Sequence, residues 1–577
     1  MRIISFQYAQ LISVVSIFLL STISCQQTTR VNTLLGQIEG IVKIVRNETV
    51  YQFRKIPYAK PPTGDLRFAK PVPHGSWSGV LNGTRFGPSC MQPPYENYIY
   101  DKFKPDLALS EDCLTLNIYV PRNISLDASR SVMVWIHGGS FYVGQGSMYD
   151  GSYLALTGDV VVVTINYRLG AFGFLASPEH GIHGNYGLWD QRLALQWVKS
   201  NIASFSGNPS SVTLFGQSAG GFSVSLHAIL PESKGLFHRV ISESGSSEGP
   251  FTIWHAAIPT SDALIGLGDC NSSESYLVCM RNRSATDIVE GHQYLVSQLL
   301  FNTRFELPSG PVVDKDFLPS DPHNILMNKS SDNYRFFQSL DFITGNVDSE
   351  GSISIGILSY FDGGFTTGFN RMNLVTLCDY FLPDFTKFIF REKNRPALSK
   401  ILCSFYAASN SSHQEQNAMH AYADATLIAP AVKTLLEHSN DNNLTNSFQY
   451  LFHRRDIDPI PQNLYSIWTN GSTHGAEMAY LFGLEDYPAM YNISVTPADV
   501  DLSRTMMKYW TNFAKTGDPN SDGVPRWETY NVTRTNYINL DLNITQGQQL
   551  YSSRVNLWLN ILPRLLQEHA PGIIVGK

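Results

Sequence analysis

The chain has 577 residues, of which 43% are hydrophobic and 16% charged, with a formal net charge of −7 at pH 7. That is enough apolar material for a large core, and no highly charged, weakly hydrophobic stretch argues for disorder. Charge is spread along the chain without a basic stripe, which excludes nucleic acid as the expected partner.

The first residues read as a secretory signal. Arg2 precedes a short apolar run, Leu11 to Leu20, and small residues follow at Ser21, Thr22 and Ser24. The expected division is a signal peptide over 1–25 and one domain over 26–577. The run is short for a bilayer span of about 20 residues. No later segment is apolar enough to span, and the closing APGIIVGK carries no anchor tail. The expected location is therefore secreted, without a membrane span. Twelve N-x-S/T sequons point the same way: Asn47, Asn82, Asn123, Asn271, Asn282, Asn328, Asn410, Asn443, Asn470, Asn492, Asn531 and Asn543. With Cys25 lost in the signal, Cys90, Cys113, Cys270, Cys279, Cys378 and Cys403 remain, an even set that suits bridges in an oxidising compartment. No C-x-x-C or His-rich spacing calls for a metal, and no cofactor is expected.

Apolar runs bounded by glycines and turns recur along the chain. Val132 to Ile136, Val160 to Ile165, Val212 to Phe215 and Val240 to Ile241 read as buried parallel strands, with Phe342 to Gly345 and Phe448 to Phe452 as later ones. Leu188 to Ser200 has helical spacing. Alternating strands and helices predict an α/β fold with a mostly parallel sheet and long insertions. Trp135-Ile-His-Gly-Gly-Ser-Phe141 leaves the first strand as the HGGG-type loop of lipases and esterases does. Gly216-Gln-Ser-Ala-Gly220 is a G-x-S-x-G pentapeptide between a strand and an apolar segment, Phe222 to Leu230, that can be helical. This is the strand–turn–helix setting of a nucleophile elbow, with Ser218 as nucleophile. A serine hydroxyl is a poor nucleophile at neutral pH and needs a base, held in turn by an acid that comes between serine and histidine in the chain.

Several stretches resemble the type B carboxylesterase/cholinesterase family of the α/β-hydrolase fold. They are Phe205 to Gly220 around the serine, Glu111-Asp-Cys-Leu-Thr-Leu-Asn117, Asn166 to Leu175, and Trp510 to Asn520. The GQSAG form is similar to that of juvenile hormone esterases and some other invertebrate esterases. The resemblance implies His474, in Gly471-Ser-Thr-His-Gly-Ala-Glu477, as base. It implies Glu350 as acid, with Asp348 in the same loop as competitor. It implies the N–H groups of Gly139, Ser140 and Ala219 as oxyanion donors, although Ser140 stands where a third glycine is commonest. It further implies bridges Cys90–Cys113 and Cys270–Cys279, ion pairs Arg67–Glu111 and Arg168–Asp190, and Ser244 behind the triad. Cys378 and Cys403 have no clear counterpart and form a third bridge or stay free.

The implied activity is hydrolysis of a small-molecule or lipid ester. Gln217 stands where cholinesterases and many carboxylesterases have Glu. The stretch from Cys90 to Cys113 contains Tyr95, Tyr98 and Tyr100 but lacks the tryptophan on which cholinesterases seat a quaternary ammonium. Both features weigh against a choline ester. The competing class is a non-catalytic binding protein on the same fold, but relatives of that kind usually break the serine or histidine motif, and here both stand.

Overall fold

The structure, a computed structural model, describes residues 27–93, 108–125, 127–255, 257–267, 270, 275–303, 309–354, 374–390, 396–407, 414–454, 471–486 and 494–569. The signal segment, Cys25, Asn271, Asn410, Asn470, Asn492, Tyr95, Tyr98 and Tyr100 lie outside the described residues.

A 13-stranded sheet runs through the molecule. Its first strands are β1 (Thr28–Asn32), β2 (Gln37–Val45), β3 (Glu48–Pro57) and β4 (Val80–Asn82). The middle is β5 (Thr115–Pro121), β6 (Arg130–Ile136), β7 (Val161–Ile165), β8 (Gly207–Gln217), β9 (Arg239–Glu243) and β10 (Asp341–Val347). It closes with β11 (Ser447–Phe452), β12 (Asn536–Leu540) and β13 (Thr545–Gln548). The order is β1-β2-β3-β5-β7-β6-β8-β9-β10-β11-β12-β13, with β4 beside β2. From β7 to β12 every pairing is parallel. The outer strands are antiparallel, apart from β4. The expected α/β architecture is therefore borne out, and each apolar run lies within or across one of the parallel strands.

These strands are buried because both faces of the sheet are covered. Side chains alternate between two cores. Val132, Val134 and Val163 pack into one, and Met133, Trp135 and Val162 into the other. Helices supply the cover: α1 (Tyr186–Asn201), α2 (Ala219–Ala228), α3 (Glu477–Phe482) and α4 (Pro497–Thr516). Helix α4 begins with a reciprocal capping box between Thr496 and Asp499 and ends at Gly517, with φ +78°. Long helical insertions separate β9 from β10 and β10 from β11. No helix among the described residues is long and apolar enough to cross a membrane.

Three disulfides staple the outer layers: Cys90–Cys113, Cys270–Cys279 and Cys378–Cys403. The third resolves the alternative that the sequence left open. Arg67 pairs with Glu111 and also donates to the carbonyls of Arg281 and Arg283, at 2.9 and 2.6 Å. Arg168 pairs with the buried Asp190 through two bonds of 2.8 and 2.7 Å. The described sequon asparagines, at 47, 82, 123, 282, 328, 443, 531 and 543, are all exposed.

Candidate active site

Parallel strands deliver their C-terminal ends to one edge of a sheet, and loops leaving there converge. Here β6, β8, β10 and β11 are followed, respectively, by Gly138–Ser140, Ser218, Glu350 and the segment bearing His474.

Ser218 lies between the last residue of β8 and the first of α2, with φ +57° and ψ −123°. This backbone conformation is unfavourable for a residue with a Cβ and is held by its surroundings. The Ser218 N–H donates to the Glu243 carbonyl at 2.9 Å, and its own carbonyl accepts from Phe222 N at 2.8 Å. The turn closes only because two side chains are missing. A Cβ on Gly216 would meet the Ile136 carbonyl oxygen at 2.6 Å, and one on Gly220 would meet it at 2.0 Å. That backbone oxygen cannot swing aside, so glycine is required at both positions.

His474 is buried, and its Nδ1 lies 2.5 Å from Glu350 Oε2. Glu350 is fully buried, and its other oxygen accepts from Asn346 Nδ2 at 3.0 Å and Val347 N at 3.1 Å. The acid and histidine loops are zipped together. Ser349 bridges Thr473, and the His474 N–H donates to Ser352 Oγ at 2.9 Å. Asp348 points elsewhere. It accepts from Ser472 N at 2.6 Å and His453 Nδ1 at 3.1 Å, so it fixes the path of the histidine loop without reaching the ring. That contact pushes the His453 imidazole up from its ordinary value.

The loop after β6 has three successive residues with positive φ: Gly139 at +109°, Ser140 at +56° and Phe141 at +57°. Among the described residues the N–H groups of Gly139 and Ser140 have no acceptor. Ala219 opens α2, where leading N–H groups have no intrahelical partner. His137 supports this loop from below. It stacks on Tyr167 at 4.5 Å, and burial lowers it to about 4, so it stays neutral.

Two further carboxylates were not singled out by sequence reasoning. Glu243 and Glu477 are both fully buried, and among the described residues each has one oxygen without a hydrogen-bond partner. Ser244 Oγ donates to Glu477 at 3.4 Å, and Trp510 Nε1 donates to Glu243 at 2.7 Å. Burial, with the Glu350 charge adding to it, raises the Glu477 carboxyl to about 7. Burial and Glu477 push Glu243 well up as well. Glu243 and Glu477 lie 234 positions apart in the chain, so only the fold brings them together. Away from this site, Glu179, His180 and Asp262 bring ligand atoms within 4.8 Å of one another. His180 there bonds Ser177 and packs against Tyr276 with the rings tilted by 49°, which accounts for its place.

The chain matches the carboxylesterase family over residues 27–558. It is 35% identical to acetylcholinesterase of Bungarus fasciatus, with 93% of this chain and 87% of that one covered. It is also 35% identical to cocaine esterase of Oryctolagus cuniculus, over 93% of this chain and 96% of the other. It is 33% identical to acylcarnitine hydrolase of Mus musculus, over 93% of this chain and 92% of the other. A match across nearly the whole chain, on an α/β-hydrolase sheet with a serine elbow, places this protein in the carboxylesterase family as a carboxylic ester hydrolase.

Proposed function

We propose that the chain is a secreted serine carboxylesterase that hydrolyses uncharged carboxylic esters through Ser218, His474 and Glu350. The observation that carries this reading is the buried 2.5 Å contact between His474 Nδ1 and Glu350 Oε2, next to a strained serine elbow. Glu350 holds the proton on Nδ1, which leaves Nε2 as the base. Ser218 Oγ attacks the ester carbonyl carbon and its proton passes to His474 Nε2. The oxyanion formed is met by the N–H groups of Gly139, Ser140 and Ala219, and losing one such donor typically costs about 10²–10³ in rate. Collapse breaks the ester C–O bond, and His474 protonates the departing alcohol. Water, deprotonated by His474, then attacks the acyl carbon, the bond from that carbon to Ser218 Oγ breaks to release the acid, and His474 returns the proton to Oγ.

Residues 1–25 leave as a signal peptide and 26–577 form one domain. The signal-like N-terminus, three disulfides and eight exposed sequon asparagines support the secretory route. An uncharged substrate is supported by Gln217 and by the lack of tryptophan between Cys90 and Cys113. The test is turnover of a chromogenic ester: Ser218→Ala and His474→Ala each lose nearly all activity, because triad members act as a unit. Full turnover in Ser218→Ala would end this assignment.

A further inference from the structure

Gln217 does more than remove a charge from the elbow. Its side-chain amide nitrogen lies 3.0 Å from His474 Nε2, the atom that must receive the Ser218 proton. Ser218 Oγ itself has no hydrogen-bond partner among the described residues. The protonation states fix what the amide contact is. Glu350 accepts from Nδ1, so a neutral His474 presents a lone pair at Nε2, and only the NH₂ end of an amide can face it.

The slot for this side chain is built by glycines. A Cβ at Gly138, in the loop after β6, would come within 3.0 Å of Gln217 Oε1 and 2.7 Å of the Gln217 carbonyl oxygen. Gly475, with φ +84°, lies against the amide nitrogen, where a Cβ would sit at 3.4 Å. Gln217 is 6% exposed, so water competes little for its amide.

We propose that Gln217 is a positioning residue that caps the base in the resting enzyme. It donates to His474 Nε2 and so holds the imidazole oriented, while denying that lone pair to Ser218 until a substrate draws the amide away. The proposal rests on the Ser218–His474–Glu350 reading. It gives the Gln at this position a role that neither Glu nor an apolar residue reproduces. An ionised Glu cannot donate to neutral Nε2 and favours the imidazolium, while an apolar residue leaves Nε2 open to Ser218.

The test is the second-order rate at which a small uncharged fluorophosphonate labels Ser218 at pH 7.5, with active sites counted by burst titration. Gln217→Met keeps the length and removes the donor. Labelling should accelerate about two- to tenfold, the range one net hydrogen bond spans, with the count of active sites unchanged. Gln217→Glu, ionised at pH 7.5, favours the imidazolium, which cannot take the Ser218 proton, so labelling should fall to the wild-type rate or below. A purely structural role for Gln217 would instead slow both variants or lower the active-site count. Met labelling no faster than wild type, or Glu labelling as fast as Met, would overturn the cap. Ser218→Ala is run in parallel: persistent labelling there would overturn the triad itself, whereas its loss with an unaccelerated Met variant rejects the cap alone.

Discussion

Replacing Glu477 by glutamine removes an ionisable group from beneath His474 while keeping its shape. The Glu477 carboxyl rises from an ordinary 4.5 to about 7, first through burial and then through the nearby Glu350 charge. Each tenfold change in proton affinity is worth about 1.4 kcal/mol, so the ionised form is about 3 kcal/mol worse inside the fold than in the unfolded chain. Because the folded protein binds this proton more tightly, the stability it contributes is fully present below pH 4.5. It is lost as pH rises through about 7. A glutamine is neutral throughout and escapes that loss. Glu477→Gln should therefore match wild type near pH 4.5 and exceed it at pH 8. Between pH 5 and pH 8 the gain should grow by about 2–3 kcal/mol. The assay is guanidinium unfolding of both proteins at the two pH values, followed by tryptophan fluorescence. Comparing variant with wild type at each pH cancels the titration of groups that do not interact with Glu477. A difference that stays constant between pH 5 and pH 8, or that favours wild type at pH 8, would refute the account of Glu477 as a carboxyl held against ionisation.

Three other outcomes follow from the site. Glu350→Gln keeps an oxygen near His474 Nδ1 but not the charge that stabilises the imidazolium, so kcat should fall by on the order of 10⁴. Asp348→Asn keeps an oxygen for Ser472 N but puts an amide NH₂ where an oxygen meets His453 Nδ1, so it should reduce stability more than turnover; steady-state kinetics with the reverse ranking would move the acid to Asp348. An acetyl choline-type ester and its uncharged dimethylbutyl isostere should differ by roughly tenfold in kcat/KM in favour of the uncharged one, about 1.4 kcal/mol. A tenfold preference for the charged ester would make the enzyme a cholinesterase.

The sequence discloses most where a physical pattern is short-range. The Val- and Ile-rich runs of β6 and β7 are buried on both faces and need no partner to be recognised. The G-x-S-x-G turn shows itself through two glycines that the backbone of Ile136 demands. The outer antiparallel strands carry weaker signals. In β13, Thr545–Gln548 is largely exposed and has no apolar alternation to read. Asp348 and Glu350 are equivalent carboxylates in one loop on paper. Only the path of the loop turns one toward Ser472 N and the other toward His474 Nδ1. Glu243 and Glu477 meet through packing of β9 against α3 and α4, and the contact of Gln217 with His474 joins residues 257 positions apart. Such pairings are set by the folded sheet edge and leave no local trace in the chain.

The central claim is that Ser218 is an activated nucleophile. Its most direct test is mass-spectrometric mapping of the adduct left by a fluorophosphonate on the intact protein. The account predicts one adduct per chain, on Ser218 in the peptide containing Gly216 to Gly220, formed in step with the loss of esterase turnover. An adduct on another residue, or turnover that survives complete labelling of Ser218, would contradict it.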